Sequence, residues 1–333
     1  MNFAMWAKAL RVIPRIDKDE WLQLDVISKW LISTRAAVLV MTFISAAIAG
    51  LLAAGAGMFD LGRWILLAVG LIFAHATNNL LNDMTDFNRG VDKDNYFRTQ
   101  YGPQPLEQGL MTKNEVLLYA GVTGLIALAA GLPLVLQNGS LGWILLAAGA
   151  FFVLFYTWPL KYIGLGELAV LIVWGPLMIG GGYFVITGQW NWNVVIAGLP
   201  YAFGVTTVIF GKHIDKYKAD QTKGIHTLPV LIGEKAGRYA VLTMIAMQYI
   251  SVVYLVIIGF FSPVMLVVLF ALFSLRKVLP MYSKPKPEDC PPDYGKDVWP
   301  LYYVASAFYQ NRQFGMFFLL GLVGDVVLKL LLR

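Results

Sequence analysis

The chain has 333 residues, of which 58% are apolar and 14% are charged, whereas an ordinary soluble domain has about 25% charged residues. This composition excludes a disordered chain, a soluble nucleic-acid-binding protein and a small secreted domain held by disulfides. The single cysteine, Cys290, allows no internal disulfide. The net charge is +6, and the mean hydropathy is +0.64. Because the apolar residues form runs of about 20, the sequence predicts a multi-pass membrane protein.

The first 33 residues precede the first apolar run and are predicted to be a cytoplasmic segment. They contain no uninterrupted apolar core followed by a small-residue cleavage site, so we do not expect a cleaved signal peptide. Tryptophans are mixed here with basic residues, which is typical of a helix lying at the membrane surface; a partly ordered tail is the alternative. These residues are Trp6, Lys8, Arg11, Arg15, Trp21, Lys29 and Trp30.

Nine runs that are long and apolar enough to cross a bilayer follow. They lie near residues 34–56, 64–82, 114–136, 140–157, 164–187, 192–211, 239–260, 262–280 and 313–332. We therefore expect an all-α integral membrane protein, a bundle of nine transmembrane helices with an N-terminal interfacial helix and cytoplasmic cap loops. It would form one domain over residues 1–333, with the bundle in residues 34–333. The proline-rich segment 281–300 is expected to be a solvated loop.

Lysines and arginines are sorted between the two ends of these runs. If the N-terminus is inside, 23 of the 26 Lys and Arg residues fall in inner segments, and the other three are Arg63, Lys329 and Arg333. Because cytoplasmic loops of membrane proteins are enriched in Lys and Arg, this sorting predicts a cytoplasmic N-terminus and supports nine crossings. The expected location is the cell (plasma) membrane.

Aspartates are concentrated in two of the inner segments. The first cluster follows the second apolar run and comprises Asp83, Asp86, Asp92 and Asp94. On a helix, Asn79 and Asp86 line one face, and either Asn82 or Asp83 lies between them on that face. Polar residues at the end of an apolar run are costly and favour a functional role. The alternative is an ordinary solvated acidic loop.

Carboxylates gathered this closely repel one another, and a divalent cation would hold them together. An all-oxygen set of carboxylates and amides suits Mg²⁺, which keeps several waters and bridges to substrate phosphates. Gly90 is typical of a helix C-terminus, after which Asp92 would return toward the same site. The first cluster is therefore interpreted as a magnesium site.

The second cluster, Asp215 and Asp220, follows the sixth run. Basic residues accompany its acids. Acids that hold a metal, next to cations that contact oxyanions, are typical of a diphosphate site. The metal and the cations would draw charge onto a departing diphosphate and so make it a good leaving group. The cations are Lys212, Lys216, Lys218 and Lys223, together with Arg98 from the first segment.

At these residues the sequence resembles the UbiA superfamily of intramembrane prenyltransferases. The first cluster is similar to the family's aspartate-rich motif, whose positions are matched by Asn82, Asp86 and Asp92. The following segment, Pro105-Leu106-x-x-Gly109, is similar to the family's Pro-Leu-x-x-Gly sequence. Arg98 lies where the family has a basic residue that contacts diphosphate.

The second cluster resembles the family's other aspartate motif, which ends here in Gly224-x-x-Thr227-Leu228-Pro229. Asp220 matches the second acid of that motif, but Asp215 lies five residues earlier, where the family usually has four. This difference puts the metal geometry in question. Tyr156 and Lys161 resemble the family's Tyr and Lys pair on the inner loop after the fourth span, again with a spacing of five, where the family has four.

The resemblance runs from about Arg35 to Gly321 and implies nine helices, Mg²⁺, a polyprenyl diphosphate donor and a lipophilic, usually aromatic acceptor. The stretch Gly164-Leu165-Gly166-Glu167, with Tyr183, looks most like the menaquinone-synthesis branch, which prenylates 1,4-dihydroxy-2-naphthoate. The candidate residues form three sets. The metal set is Asn82, Asp86, Asp92, Asp215 and Asp220; the catalytic set is Asp86, Asp215, Asp220, Tyr156 and Lys161; the substrate-binding set is Arg98, Lys212, Asn79, Asp83 and Glu167.

Two alternatives remain open at the level of sequence. The first is prenyl transfer to a glycerol phosphate, a sugar phosphate or another quinone precursor. The second is a transporter without covalent chemistry, which would have acids near span centres and repeat symmetry, whereas both acidic clusters here lie at one predicted membrane face. The expected partners are the two substrates and the lipid bilayer, with no nucleic acid and no obligatory protein partner.

Overall fold

The computed structural model describes residues 1–91, 102–292, 294–295 and 298–332. All regular secondary structure in these ranges is helical, which confirms the all-α prediction. Two predicted site residues, Asp92 and Arg98, lie outside the described residues.

In chain order, the helices of the described residues begin with three short ones and continue with longer apolar ones. They are α1 (Phe3–Arg11), α2 (Lys18–Leu22), α3 (Val26–Ser33), α4 (Ala36–Gly55), α5 (Leu61–Asn88), α6 (Lys113–Gln137), α7 (Gly139–Phe155), α8 (Gly166–Thr187), α9 (Trp192–Asp215), α10 (Tyr217–Thr222), α11 (Leu228–Ile232), α12 (Glu234–Ile257), α13 (Pro263–Ser283) and α14 (Tyr303–Leu331), with a 3-10 turn at Leu160–Ile163 between α7 and α8.

Eight of these helices are long and apolar enough to cross a membrane, counted over the described residues: α4, α5, α6, α8, α9, α12, α13 and α14. The remaining predicted span, 140–157, is the apolar helix α7 of 17 residues. The multi-pass prediction is therefore supported, and the count of nine crossings stays a prediction. Prolines lie inside four of these helices, as is common in membrane helices: Pro133 in α6, Pro176 in α8, Pro200 in α9 and Pro280 in α13.

Three helices extend well beyond the apolar runs that predicted them. Helix α5 continues to Asn88 and carries the first acidic cluster, and α9 continues to Asp215. Helix α14 begins at Tyr303, ten residues before the predicted start, because its first turns include polar residues such as Gln310 and Asn311 that dilute the hydropathy. Apolar runs therefore predict the helix boundaries poorly where the helix ends carry polar residues.

One compact unit comprises Met1–Ala46 and Gly62–Trp158. Its N-terminal residues form three short helices, α1 to α3, where the sequence predicted one interfacial helix. The tryptophans expected at the membrane surface pack inward: Trp21 is buried, Trp6 and Trp30 pack against the same core, and Trp30 donates to Thr123 Oγ1 at 3.0 Å. That core includes Leu80 and Met84 of α5, so the N-terminal helices buttress the first acidic cluster.

The other compact unit comprises Ala47–Leu61 and Pro159–Arg333. Helix α9 is its centre and packs against α8, α12 and α14. In the middle of α8, residues Val173–Gly181 form a π-helix around Pro176, which has no amide hydrogen to donate to the helix. Small residues bring α8 and α9 close: a Cβ at Gly198 would lie 3.0 Å from Ile179.

Candidate active site

The first acidic segment, residues 78–91, occupies the last turns of α5. Asn79, Asp83 and Asp86 are buried, and their spacings of four and three place them on one face of the helix. Asn82, on the neighbouring face, is half-buried and accepts a hydrogen bond from Thr157 Oγ1 at 3.1 Å. Four oxygen-bearing side chains are thus held at the end of one rigid helix.

Asp83 is paired with Arg35, a residue that the candidate sets did not include. The Arg35 guanidinium forms an ion pair with Asp83 Oδ1, and both side chains are largely buried. Arg35 has a φ of +55°, a left-handed conformation that costs a non-glycine residue about 1 kcal/mol. Beside it, the Thr34 carbonyl accepts from Asn79 Nδ2 at 2.8 Å. The junction between α3 and α4 therefore holds two residues of the acidic face.

Asp86 lies at the C-terminal turn of α5, where the helix ends in a Schellman motif. Gly90, with φ of +66°, donates to the Phe87 carbonyl, and the amide of Val91 donates to the carbonyl of Asp86 at 2.9 Å. Val91 is buried beneath this turn. The prediction that Gly90 ends the helix is confirmed, and the carbonyl of Asp86 closes it.

The second acidic segment, residues 212–229, is interrupted by a break. Helix α9 ends at Asp215, Lys216 leaves the helical conformation, and the short helix α10 carries Asp220. Asp220 is 2% exposed, and its Oδ1 lies 3.0 Å from Lys216 Nζ. Its Oδ2 is buried and has no hydrogen-bond partner among the described residues. A buried anionic oxygen in that state is costly unless a cation or donor reaches it.

Helix α10 ends in a turn of the same type as the one that ends α5, a Schellman motif. Gly224, with φ of +67°, donates to the Gln221 carbonyl, and the amide of Ile225 donates to the carbonyl of Asp220 at 2.9 Å. Ile225 is fully buried, and Val91 is likewise buried in the first segment. Asp220 therefore occupies in its helix the position that Asp86 occupies in α5.

Asp215 has different surroundings. Its side chain is fully buried; Oδ1 accepts from the Tyr303 amide at 3.1 Å, and Oδ2 accepts from the Val304 amide at 3.0 Å. Lys286 Nζ lies 3.4 Å from Oδ1. Burial lowers the pKa of Lys286, and the charge of Asp215 opposes that shift.

Glu167, at the start of α8, is 1% exposed and uses both carboxylate oxygens within the protein. Its Oε1 lies 2.6 Å from His213 Nδ1, and its Oε2 accepts from the Leu228 amide at 3.3 Å. The pair therefore joins α8, α9 and the start of α11. His213 precedes Asp215 by two residues, so Glu167 also supports the end of the helix that carries this acid.

The remaining predicted site residues lie on other elements of the chain. Lys161 lies in the 3-10 turn before α8, is 9% exposed, and has its Nζ 5.5 Å from the centre of the Tyr162 ring. Tyr156 follows the last turn of α7 and is half-buried. Lys212 is half-buried in the last turn of α9. Asp92 and Arg98 fall outside the part of the chain that the structure describes.

The donor chemistry of both segments fits Mg²⁺. Within the described ranges no three His, Cys, Asp or Glu side chains are gathered closely enough to hold a metal by themselves. Mg²⁺ does not require such a cage, since it is commonly held by one or two carboxylates, waters and substrate phosphates. The carboxylates of Asp86 and Asp220 provide oxygen ligands of the right kind, and the unpartnered oxygen of Asp220 is the clearest of them.

Three residues that contact the predicted site residues were not recognised from sequence as their partners: Arg35, His213 and Lys286. Arg35 had a usable signal, since a lone arginine at the start of an apolar run is expensive and requires an anionic partner. Lys286 had none, because it lies among prolines and charges in a segment that resembles a solvated loop.

The sequence of the chain matches a known protein family. The model of the UbiA prenyltransferase family matches residues 43–294. A 1,4-dihydroxy-2-naphthoate octaprenyltransferase from Bacillus subtilis is 24% identical over 298 residues, covering 87% of this chain and 90% of that protein. A UbiA prenyltransferase domain-containing protein 1 homolog from Drosophila melanogaster is 28% identical over 237 residues, or 68% of this chain. The chain spans 60% of that relative's length.

Solved structures show a similar fold. An apo structure of a UbiA homolog from Aeropyrum pernix has a TM-score of 0.65 at 19% identity, covering 86% of this chain and 98% of its own. A UbiA homolog from Archaeoglobus fulgidus, bound to GPP and Mg²⁺, has a TM-score of 0.59 at 15% identity, covering 89% and 99%. At these identities the similarity concerns the fold.

Proposed function

Because the chain belongs to the UbiA prenyltransferase family, we propose that it transfers an isoprenyl chain from a polyprenyl diphosphate to a hydrophobic aromatic acceptor, with Mg²⁺, and releases diphosphate. The observation that carries the proposal is the matching placement of Asp86 and Asp220. Each is a buried acid whose carbonyl closes its helix at a left-handed glycine. The same chemical group is therefore presented in the same local frame in both acidic segments.

We propose oxygen ligands for Mg²⁺ in each acidic segment. Of the five residues that the sequence predicts for this role, we retain Asn82, Asp86, Asp92 and Asp220, because both carboxylate oxygens of Asp215 accept from backbone amides. Asp220 has the most direct support, since its buried Oδ2 has no hydrogen-bond partner among the described residues. When bound, Mg²⁺ would neutralise the charge that develops on the departing diphosphate. The Archaeoglobus fulgidus homolog solved with GPP and Mg²⁺ supports the pairing of such a donor with this metal.

Basic and polar side chains would contact the diphosphate itself. Lys161, Lys212 and Arg98 are proposed as its cationic contacts, because charge-assisted hydrogen bonds to phosphate oxygens are the strongest available to a protein. Tyr156 would add a hydroxyl donor.

The sequence predicts three further substrate-binding residues, Asn79, Asp83 and Glu167. We assign them an indirect role, through the neighbouring groups that they hold in place. Asn79 and Asp83 are fastened by Thr34 and Arg35. Glu167 is fastened by His213. These contacts hold the ends of α5 and α9, and the last turn of α9 carries Lys212.

The reaction would break the allylic carbon–oxygen bond, and both electrons of that bond would leave with diphosphate. The electron-rich ring of the acceptor would then bond to the allylic carbon and lose the proton from the attacked ring carbon to the released diphosphate. The chain's part is to hold the diphosphate, to keep water from the allylic cation, and to orient the ring. No oxidant or reductant is required.

The proposed acceptor is 1,4-dihydroxy-2-naphthoate or a related quinone precursor. The Bacillus subtilis relative, named for an octaprenyl transfer to that acceptor, supports this choice and matches 90% of its own length. Prenyl transfer to a glycerol or sugar phosphate is the competing outcome. The proposed location is the plasma membrane with a cytoplasmic N-terminus, and the sorting of Lys and Arg supports it.

The full-length protein in lipid nanodiscs tests this proposal. With Mg²⁺, geranylgeranyl diphosphate and 1,4-dihydroxy-2-naphthoate, we expect diphosphate release that depends on acceptor and stops on addition of EDTA, and mass spectrometry should detect the prenylated ring. A parallel assay with glycerol 1-phosphate identifies the competing acceptor class. Diphosphate release that is unaffected by EDTA, or a donor that stays intact with every acceptor, would contradict the proposal.

A further inference from the structure

The first two amides of α14 are bound by Asp215 across the second unit. The carboxylate accepts from Tyr303 at 3.1 Å and from Val304 at 3.0 Å, one oxygen to each amide. The amides of a helix's first turn have no partner within the helix and carry its positive dipole end, so a carboxylate there stabilises the helix. Asp215 thus fastens the end of α9 to the start of α14.

Lys286 extends this connection to the proline-rich loop, residues 284–302. Its Nζ lies 3.4 Å from Asp215 Oδ1 and also donates to the Pro300 carbonyl. The same nitrogen lies 4.8 Å from the centre of the Trp299 ring. The described part of the loop is almost entirely exposed or half-buried, as its composition predicted, and it is held against the end of α9 through Lys286.

The five-residue spacing explains why Asp215 and Asp220 have different partners. Five residues on a continuous helix turn by about 140°, which places two side chains on nearly opposite faces, whereas four residues turn by about 40°. Here the helix also breaks at Lys216. Asp215 consequently reaches α14 and Lys286, while Asp220 pairs with Lys216 and keeps a buried oxygen without a partner among the described residues.

We propose that Asp215 is a positioning residue and not a metal ligand: with Lys286 it locks the proline-rich loop and the start of α14 onto the end of α9, and so sets the position of the segment that carries Asp220. This inference rests on the proposed prenyl transfer for its catalytic consequence. The lock itself is a property of the second unit and is tested separately.

Cys290 provides the test, since it is the single cysteine of the chain and lies in the proline-rich loop. Cys290 is half-buried, with its Sγ near the carbonyls of Pro291 and Tyr294, so its rate of labelling by a maleimide in the full-length protein should rise when the loop opens. We expect labelling to be about tenfold faster in Asp215→Asn and in Lys286→Gln, because each loses a contact that opposes local opening. Lys286→Gln leaves the cap of α14 in place, so it remains informative if Asp215→Asn fails to fold.

Two matched variants complete the labelling experiment. Lys286→Arg keeps the charge, and we expect labelling at the wild-type rate. Asp220→Asn changes the neighbouring acid, whose ion pair is with Lys216, and labelling should again match wild type. If Asp215→Asn and Lys286→Gln both label at the wild-type rate, the lock does not exist and the inference is overturned.

Metal binding separates positioning from ligation. Binding of Mn²⁺ alone, followed by electron paramagnetic resonance, should weaken about tenfold in Asp220→Asn and stay within about twofold of wild type in Asp215→Asn. In turnover assays Asp215→Asn should lower kcat without raising the Mg²⁺ concentration for half-maximal rate. Equal weakening of Mn²⁺ binding in both variants would overturn the inference, and so would faster labelling with unchanged kcat.

Failure of the proposed function has a different signature. A wild-type protein that neither binds Mn²⁺ nor releases diphosphate would contradict the proposed prenyl transfer. The labelling rates of Cys290 would still decide whether Asp215 and Lys286 lock the loop.

Discussion

The two acidic segments end alike and begin differently. In both, a buried acid is followed four residues later by a left-handed glycine, and its carbonyl accepts the amide that closes the helix. In both, an earlier acid is paired with a basic residue that is distant in sequence: Asp83 with Arg35, and Asp215 with Lys286. The first segment, however, is one continuous helix, whereas the second breaks between its two acids.

These similarities and differences indicate which acid of each segment is used for which purpose. Asp86 and Asp220 share their local frame, which indicates a common task in the proposed chemistry. Asp83 and Asp215 are each paired with a partly buried basic residue, which we interpret as a role in holding the helix end. Substitutions at the turn acids, at the ion pair of the first segment and at the glycines test this assignment, and their expected effects decrease in that order.

The largest effect is expected at the turn acids. Asp86→Ala and Asp220→Ala should each lower kcat by about 10³-fold, equivalent to about 4 kcal/mol of lost stabilisation of the departing diphosphate. The measurement is diphosphate release by folded protein, with Asp289→Ala, an exposed acid of the proline-rich loop, as the control. A loss of kcat of less than tenfold in either variant would show that Asp86 and Asp220 do not share a role, although they occupy matching positions at their helix ends.

A smaller effect is expected at the ion pair of the first segment. Arg35→Met should lower the free energy of unfolding by about 3 kcal/mol, because it leaves the buried carboxylate of Asp83 without its cation. Thermal unfolding in detergent measures this loss. The double variant Arg35→Met/Asp83→Leu should recover much of it, since neither charge is then left alone; a double variant less stable than Arg35→Met would contradict the ion-pair explanation.

The smallest effect is expected at the glycines. Gly90→Ala and Gly224→Ala should each cost about 1 kcal/mol, because alanine is strained at positive φ. A Cβ at either position meets nothing within 4 Å, so the cost is conformational and should be equal in the two segments. Gly121→Ala, in a helix and equally open, should instead be neutral or stabilising. Unequal losses, measured by thermal unfolding, would show that the turns are not equivalent.

The sequence predicted the long apolar helices and the end of α5 at Gly90 because these depend on local pattern. Apolar runs mark the spans, and Gly90 marks the end of α5 by its own conformational preference. The resemblance to the prenyltransferase family is confirmed by the match over residues 43–294. The roles of individual site residues remain proposals.

The rest depended on tertiary contacts that no local pattern contains. The start of α14 at Tyr303 is stabilised by the distant carboxylate of Asp215. Trp21 looked like a membrane-surface residue but is buried, because α1 to α3 fold onto α5. Lys286 resembled one charge in a solvated loop, and only the folded chain brings it to Asp215.

In the Schellman turns at Asp86 and Asp220, the backbone and the side chain of one residue have separate roles. The backbone of each acid closes a helix, while its carboxylate takes no part in that closure. Replacing either carboxylate therefore keeps the backbone hydrogen bond that ends the helix, and its cost falls on side-chain contacts such as the pair of Asp220 with Lys216. The proposed metal chemistry can therefore be altered by a point mutation at either acid without removing the turn that presents the side chain.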